Sequence, residues 1–251
     1  MQHNLKPALA PLSPVLPACW TLEVHDAAIA HTGSAYPNEA VGIVEGGAYV
    51  ALENRSRTPE RDVLLTDDDL MRAAQAEAFF HSHPDGLGCP SETDMVYQQQ
   101  LGIPFFVMCW PLFDFFYWGD MLTPAPLLGR GFRHGVHDCC SLIRDWYREK
   151  GIVFHDGPRD WSWWSAGKNL YLDNFERAGF VKIGVGEATQ PGDVLLMNFN
   201  YQVPMHGALV HDKTLILQHA AGQRAVDPTR LSGFVPRTRY IRHVSLALRH
   251  P

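Results

Sequence analysis

The sequence predicts two consecutive α+β domains, and three observations predict it. Strand-like apolar runs alternate with helical patterns in both halves. The stretch Leu122-Thr-Pro-Ala-Pro-Leu-Leu-Gly-Arg-Gly131 interrupts the patterning, which sets a boundary near residue 126. The residues that carry chemistry fall into two groups, one on each side of that boundary. The expected organisation is a proline-rich extended arm over 1–18, a first domain over 19–125 and a second over 126–251.

In the first domain, residues 24–31 read as the start of a short helix. Residues 40–44 and 49–52 are apolar runs around Gly46-Gly47, the pattern of a hairpin. Residues 70–78 read as a helix, 79–83 as a strand at a sheet edge and 91–101 as a second helix. The apolar run 104–110 is a strand, with another over 113–118. In the second domain, Leu142, Ile143, Trp146 and Tyr147 fall on one face of a helix over 139–150, which Gly151 can end. A helix over 170–178 follows, then strands over 193–197, 207–210 and 215–220.

Composition narrows the function. Of 251 residues 46% are hydrophobic, enough for packed cores. Only 19% are charged and the formal net charge is -6, which argues against nucleic acid as a partner. No run approaches the roughly 18 apolar residues of a membrane helix. Pro7, Pro11, Pro14 and Pro17 punctuate an N-terminus that has no basic region and apolar core, so no signal peptide is expected and the chain is expected to stay in the cytoplasm where it is made. Five irregularly spaced cysteines argue for reduced thiols rather than a disulfide framework.

The first group of reactive residues is His81-Ser82-His83-Pro84, then Ser91 and Asp94, with Glu39 upstream. Histidines at i and i+2 of a strand share a face, and Ser91 and Asp94 at i and i+3 share a helix face. Two imidazoles, the Asp94 carboxylate and a water make the open tetrahedral site of a catalytic zinc. Glu39 can act as general base and later acid, with Glu45 as its rival at the far end of the strand. The Ser91 hydroxyl can donate to an oxyanion. Ser91-Glu92-Thr93-Asp94 also reads as a capping box. The whole string resembles the JAMM (MPN+) metallopeptidases over roughly residues 22–120, which implies a cytidine-deaminase-like α/β domain, zinc on His81, His83 and Asp94, and Glu39 activating water.

The second group is Asp138-Cys139, His206 and His219. A cysteine opening a helix meets unpaired N–H groups that favour its thiolate. Either Cys139 or Cys140 can be the nucleophile on these grounds. A hairpin turning on Asp212-Lys213, or over 211–214, sets His206 directly opposite His219 with Cβ atoms about 5 Å apart and Gln218 on the other face. His206 is then the base and His219 the residue that orients it. Asp138-Cys139, Pro191-Gly192-Asp193, His206-Gly207-Ala208 and His219-Ala220 together resemble the NlpC-type cell-wall cysteine peptidases over roughly 127–245. The resemblance implies a papain-like α+β fold, selects Cys139 as nucleophile and matches His206 and His219 to its base and third polar residue. The chain departs from it with Cys140-Ser141 after the nucleophile and Gly207 after the base. The segment 155–168, with Trp161, Trp163 and Trp164, is either a packed loop or a stacking wall of the groove.

The two resemblances in this order are similar to a family of phage tail-tip assembly proteins. That implies hydrolysis of a peptide or isopeptide bond in a partner and of an amide in peptidoglycan stem peptides. It implies other tail-tip proteins as partners, one bearing a ubiquitin-like domain, and a location in the host cytoplasm during assembly and at the virion tail tip. The alternative is an assembly factor whose hydrolytic sites are dispensable.

Overall fold

The computed structural model describes residues 16–251. The expected arm over 1–18 lies outside them except for its last three residues. Among the described residues no helix is long and apolar enough to cross a membrane. Both halves combine helices with sheets, as an α+β chain should.

The first sheet is built from β1 (Val41–Glu45), β2 (Ala48–Leu52), β3 (Ala78–Pro84), β4 (Phe105–Trp110) and β5 (Asp114–Trp118), in the order β2-β1-β3-β4-β5. Gly46 and Gly47, both at positive φ, make the β1–β2 turn. β3 lies at the centre rather than at an edge, antiparallel to β1 and parallel to β4. Its neighbours are both apolar strands, and β4 is buried on both faces.

Alternate residues of these strands feed two cores. Val41, Ile43, Phe79, Phe105 and Val107 face one side, with Ala73 and Leu101 from two helices, α2 (Asp67–Ala73) and α3 (Glu92–Leu101). Ala78, Phe80, Phe106 and Met108 face the other side, toward Val24 and Ala28 of α1 (Leu22–Ala35). Trp20 stacks on Phe106 with ring centroids 4.0 Å apart. Fully burying each such side chain contributes about 1.5–3 kcal/mol. α1 is longer than expected because Thr21 caps it three residues earlier, accepting the Val24 N–H. α2 is displaced toward the N-terminus: Thr66 caps it, three aspartates fill its first turn, and Ala78 is needed to pair with Val44 in the sheet.

The second half opens with β6 (Gly131–Arg133) and α4 (Cys139–Arg148). A short α5 (Leu170–Asn174) precedes β7 (Val181–Lys182), β8 (Val194–Met197), β9 (His206–Val210), β10 (Leu215–Gln218), β11 (Val226–Leu231), β12 (Gly233–Pro236) and β13 (Val244–Arg249). Six of these form an antiparallel sheet in the order β12-β10-β9-β8-β13-β7, while β11 pairs with β6. The predicted face of α4 packs Leu142, Ile143 and Tyr147 against Leu196, Leu209 and Leu217. Helix and sheet meet closely at Gly207, where a Cβ would stand 2.7 Å from Ile143 Cδ1. That contact explains why glycine follows His206.

Contacts join the halves. Arg133 grips Asp114 through two hydrogen bonds of 2.8 and 2.9 Å. Asp160 accepts the Glu92 N–H at 2.9 Å, and Lys168 pairs with the Glu92 carboxylate.

Candidate active sites

β3 carries Phe79, His81 and His83 on one face, as the strand period requires. His81 Nε2 and His83 Nε2 lie 3.1 Å apart. Asp94 completes a triangle, with Oδ1 3.1 Å from His81 Nε2 and Oδ2 3.4 Å from His83 Nε2. A tetrahedral ion with bonds of about 2.0–2.1 Å sets its ligands about 3.3 Å apart. The spacing and the donor chemistry of these three residues therefore fit a divalent cation. His83 Nδ1 donates to Leu87 O at 3.0 Å, which leaves the Nε2 lone pair free for the metal.

The helix cap aims the carboxylate. Ser91 N–H donates to Asp94 Oδ2 at 2.7 Å, and Asp94 N–H donates to Ser91 Oγ at 3.1 Å. The capping box expected of this segment also sets the third member of the candidate metal cluster. Burial works to raise the Asp94 carboxyl, but the two imidazoles outweigh it and hold the group well below the ordinary range.

Glu39 immediately precedes Ala40, which exchanges hydrogen bonds with Ser82: Ala40 N–H to Ser82 Oγ at 2.8 Å and Ser82 N–H to Ala40 O at 2.9 Å. That extends the Val41–His81 register and brings Glu39 level with His83. Glu39 is buried, and burial pushes its carboxyl up, only partly opposed by His81 and His83. A carboxyl tuned upward beside a cation site can both take and return a proton. Glu45 stands six residues along the strand, about 20 Å away, in an exposed pair with Arg72.

The thiol site is built on the N-terminus of α4. Asp138 caps it by accepting the Ser141 N–H at 3.0 Å, and Ser141 Oγ accepts the Asp138 N–H at 2.8 Å. Arg159 holds the Asp138 carboxylate, with Nη2 2.8 Å from both oxygens, and also meets Asp156 at 2.6 Å. Cys139 follows as the first residue of the helix. The adjoining Cys140 side chain is the largest influence bringing the Cys139 thiol well below its ordinary value; burial opposes this and His206 adds to it. Cys140 is driven the other way by its closeness to Cys139 and by burial.

His206 heads β9 in hydrogen-bonding contact with Cys139. Its Nε2 lies 2.9 Å from Gln218 Oε1, which leaves Nδ1 for the sulfur. Here the structure corrects the expected pairing of His206 with His219. Ala208 pairs with Gln218, whereas a hairpin centred on Asp212-Lys213 would pair it with Leu217. The cause is the turn. Asp212 Oδ1 accepts the N–H groups of Thr214 and Leu215 at 2.7 and 2.8 Å, and His211 N–H donates to Leu215 O. The loop is therefore three residues long, and a slip of one residue exchanges the faces of a strand. His219 instead donates through Nε2 to Arg230 O at 3.0 Å, edge-on to Phe132.

Three participants escaped sequence reasoning. Gln218 was put on the wrong face by the register. Arg159 lies in an aperiodic segment, where nothing in the pattern signals a buried cation. Tyr171, whose hydroxyl lies 3.1 Å from Cys139 Sγ, belongs to no motif. Above Cys139 and His206 opens a cavity of about 220 Å³ walled by Trp161, Trp163, Trp164 and Phe199. The tryptophans of 155–168 face this cleft, as a groove wall would.

Residues 21–119 match the family described as prokaryotic homologs of the JAB domain, and residues 117–245 match the NlpC/P60 family. The chain is similar to tail tip assembly protein K of Escherichia phage lambda, 40% identical over 159 residues, 62% of this chain and 77% of that protein. It is 30% identical to tail tip assembly protein K of Escherichia phage N15 over 213 residues, 78% of this chain and 84% of that protein. A solved NlpC/P60 family protein from Bacillus cereus ATCC 10987 aligns at a TM-score of 0.31 and 11% identity, over 88% of this chain and 66% of that one, too distant to carry an argument.

Proposed function

Because the chain belongs to the family of tail tip assembly protein K, with a JAB-like domain followed by an NlpC/P60 domain, we propose that it is a two-site hydrolase of phage tail assembly. The observation that carries the proposal is the convergence of two complete residue sets: His81, His83 and Asp94 within 3.1–3.4 Å of one another, and Cys139 against a His206 held 2.9 Å from Gln218.

In the first domain His81, His83 and Asp94 would hold zinc, their ligand atoms lying close enough together to share one ion. A zinc ion there supplies Lewis acidity toward water and toward a substrate carbonyl. Glu39 takes the proton of the attacking water at its carboxylate and returns it to the leaving nitrogen. Ser91 Oγ, an acceptor in its cap, keeps its own proton to donate to the oxyanion. The bond cut is a peptide or isopeptide bond in a partner tail protein, one carrying a ubiquitin-like domain.

In the second domain the Cys139 thiolate attacks an amide carbonyl of a peptidoglycan stem peptide. His206 delivers a proton to the leaving amine, then activates the water that releases the acyl group. Gln218 fixes the imidazole, and Asp138 with Arg159 fixes the helix end. The protein works in the host cytoplasm during assembly and at the virion tail tip, beside other tail-tip proteins.

The test is to incubate purified protein with peptidoglycan and follow released stem-peptide fragments. Wild type should release fragments that Cys139→Ala does not. Identical profiles would sink the wall-hydrolase half. The competing reading is a structural tail-tip assembly factor whose hydrolytic sites are dispensable, with the tryptophans as a docking surface; their place along the cleft that holds Cys139 and His206 supports a groove wall instead. Assembly of infectious tails by an Asp94→Ala/Cys139→Ala double mutant would favour the assembly factor.

A further inference from the structure

Two thiols stand side by side at the start of α4, and something must decide which one reacts. Tyr171 from α5 lies between them, its hydroxyl 3.1 Å from Cys139 Sγ and 3.2 Å from Cys140 Sγ. Its ring packs edge-on to the buried Trp163 at 6.0 Å. Its hydroxyl occupies space that a side chain at position 207 would contest: a Cβ on Gly207 would stand 2.9 Å away. These neighbours hold the phenol in one place.

A phenol has one proton to give. The Cys140 thiol donates to the Tyr171 oxygen, so the Tyr171 proton is left to point at Cys139. His206 approaches Cys139 as well, held in place by Gln218. Cys139 is the sulfur that can accept the Tyr171 proton and that also lies beside His206. We infer that Cys140 and Tyr171 form a one-way hydrogen-bond relay that makes Cys139 the thiolate and keeps Cys140 a thiol, so that Tyr171 is a further catalytic group of this site. The inference rests on the proposed thiol chemistry and explains which thiol performs it. The other titratable or charged groups around the pair are His206 from β9, Asp138 at the helix cap and Arg159 from 155–168, with His134 and His219 at longer range.

The relay is tested by thiol labelling, which does not depend on hydrolysis. Full-length protein is exposed to iodoacetamide across a pH series, and labelling of Cys139 and Cys140 is resolved by peptide fragmentation. Both thiols border the cleft, so the reagent can reach them. In wild type Cys139 labels below the pH of an ordinary cysteine and Cys140 stays silent. Tyr171→Phe keeps the ring but removes one hydrogen bond to a charged acceptor, which raises the Cys139 midpoint by about one to two pH units and lets Cys140 label. Cys140→Ala also raises the midpoint, and Cys140→Ser, which restores a donor, brings it back toward wild type.

An unchanged midpoint and unchanged selectivity in Tyr171→Phe overturn the relay. If that variant does not fold, the Cys140→Ala and Cys140→Ser pair decides: equal midpoints overturn it, and rescue by serine supports it. Failure of the underlying reading looks different, because then Cys139→Ala still releases peptidoglycan fragments. Loss of release in Cys139→Ala beside an unchanged labelling profile in Tyr171→Phe overturns the relay alone.

Discussion

His206 Nε2 lies 2.9 Å from Gln218 Oε1, and Gln218 Nε2 donates in turn to Tyr240 OH at 3.2 Å. The second bond fixes which end of the amide faces the imidazole. The imidazole therefore donates through Nε2 and turns Nδ1 toward Cys139. A neutral amide orients the base in the same geometric sense as the carboxylate of a serine triad, without its charge. Gln218→Ala frees the ring, and misplacement of a reacting group by about 1 Å costs about 10²-fold in rate. The expected outcome is a fall of that order in kcat on a stem-peptide substrate with little change in KM. His219→Ala should instead lower stability more than turnover, because His219 is fully buried and bonded to Arg230 O. A larger kcat loss in the His219 variant would contradict the register.

Arg159 is 1% exposed and sits between the carboxylates of Asp138 and Asp156. Arg159→Met keeps much of the bulk and removes the charge, leaving buried Asp138 without its arginine and Asp156 with Arg144 alone. Breaking a buried pair in this way costs about 3–5 kcal/mol. Urea unfolding should show a lower midpoint at unchanged slope. Cys139 labelling should also slow, because Asp138 caps the helix that presents it.

Acid should weaken the second domain. Burial lowers His134 and His219, and burial followed by Arg130 brings His137 down to about 4. In the unfolded chain a histidine titrates at about 6.5. Between those two values these three histidines bind more protons in the unfolded state than in the folded state. Their contribution to stability is therefore complete above about pH 6.5 and is lost as pH falls toward 4, while His206, shifted upward, offsets part of it. Urea midpoints should decline from pH 7 to pH 5. His137→Gln should decline less over the same range.

Much of the first domain was legible because its signals are local. Gly46-Gly47 marks the hairpin, Ser91-x-x-Asp94 marks the start of α3, and the run over 104–110 matches β4. The clustering of His81, His83 and Asp94 was legible for the same reason: a strand places the two histidines together, and a capped helix aims Asp94 at them. The second domain depends more on distant pairing. β11, with Pro228 and Arg230 inside it, carries no strand pattern and exists through its pairing with β6. The residue that orients His206 hinged on one side chain, Asp212, closing a three-residue loop. Arg159 and Tyr171 reach the thiol site from segments without periodicity, so only the folded chain brings them there.

The most direct measurement is the zinc content of purified protein by elemental analysis, with wild type beside His83→Ala, Asp94→Ala and Cys139→Ala. Expected is close to one zinc per chain in wild type and in Cys139→Ala, and a loss of at least tenfold in zinc affinity in the other two. Zinc absent from wild type, or retained unchanged in His83→Ala and Asp94→Ala, would contradict a metal centre on β3 and α3.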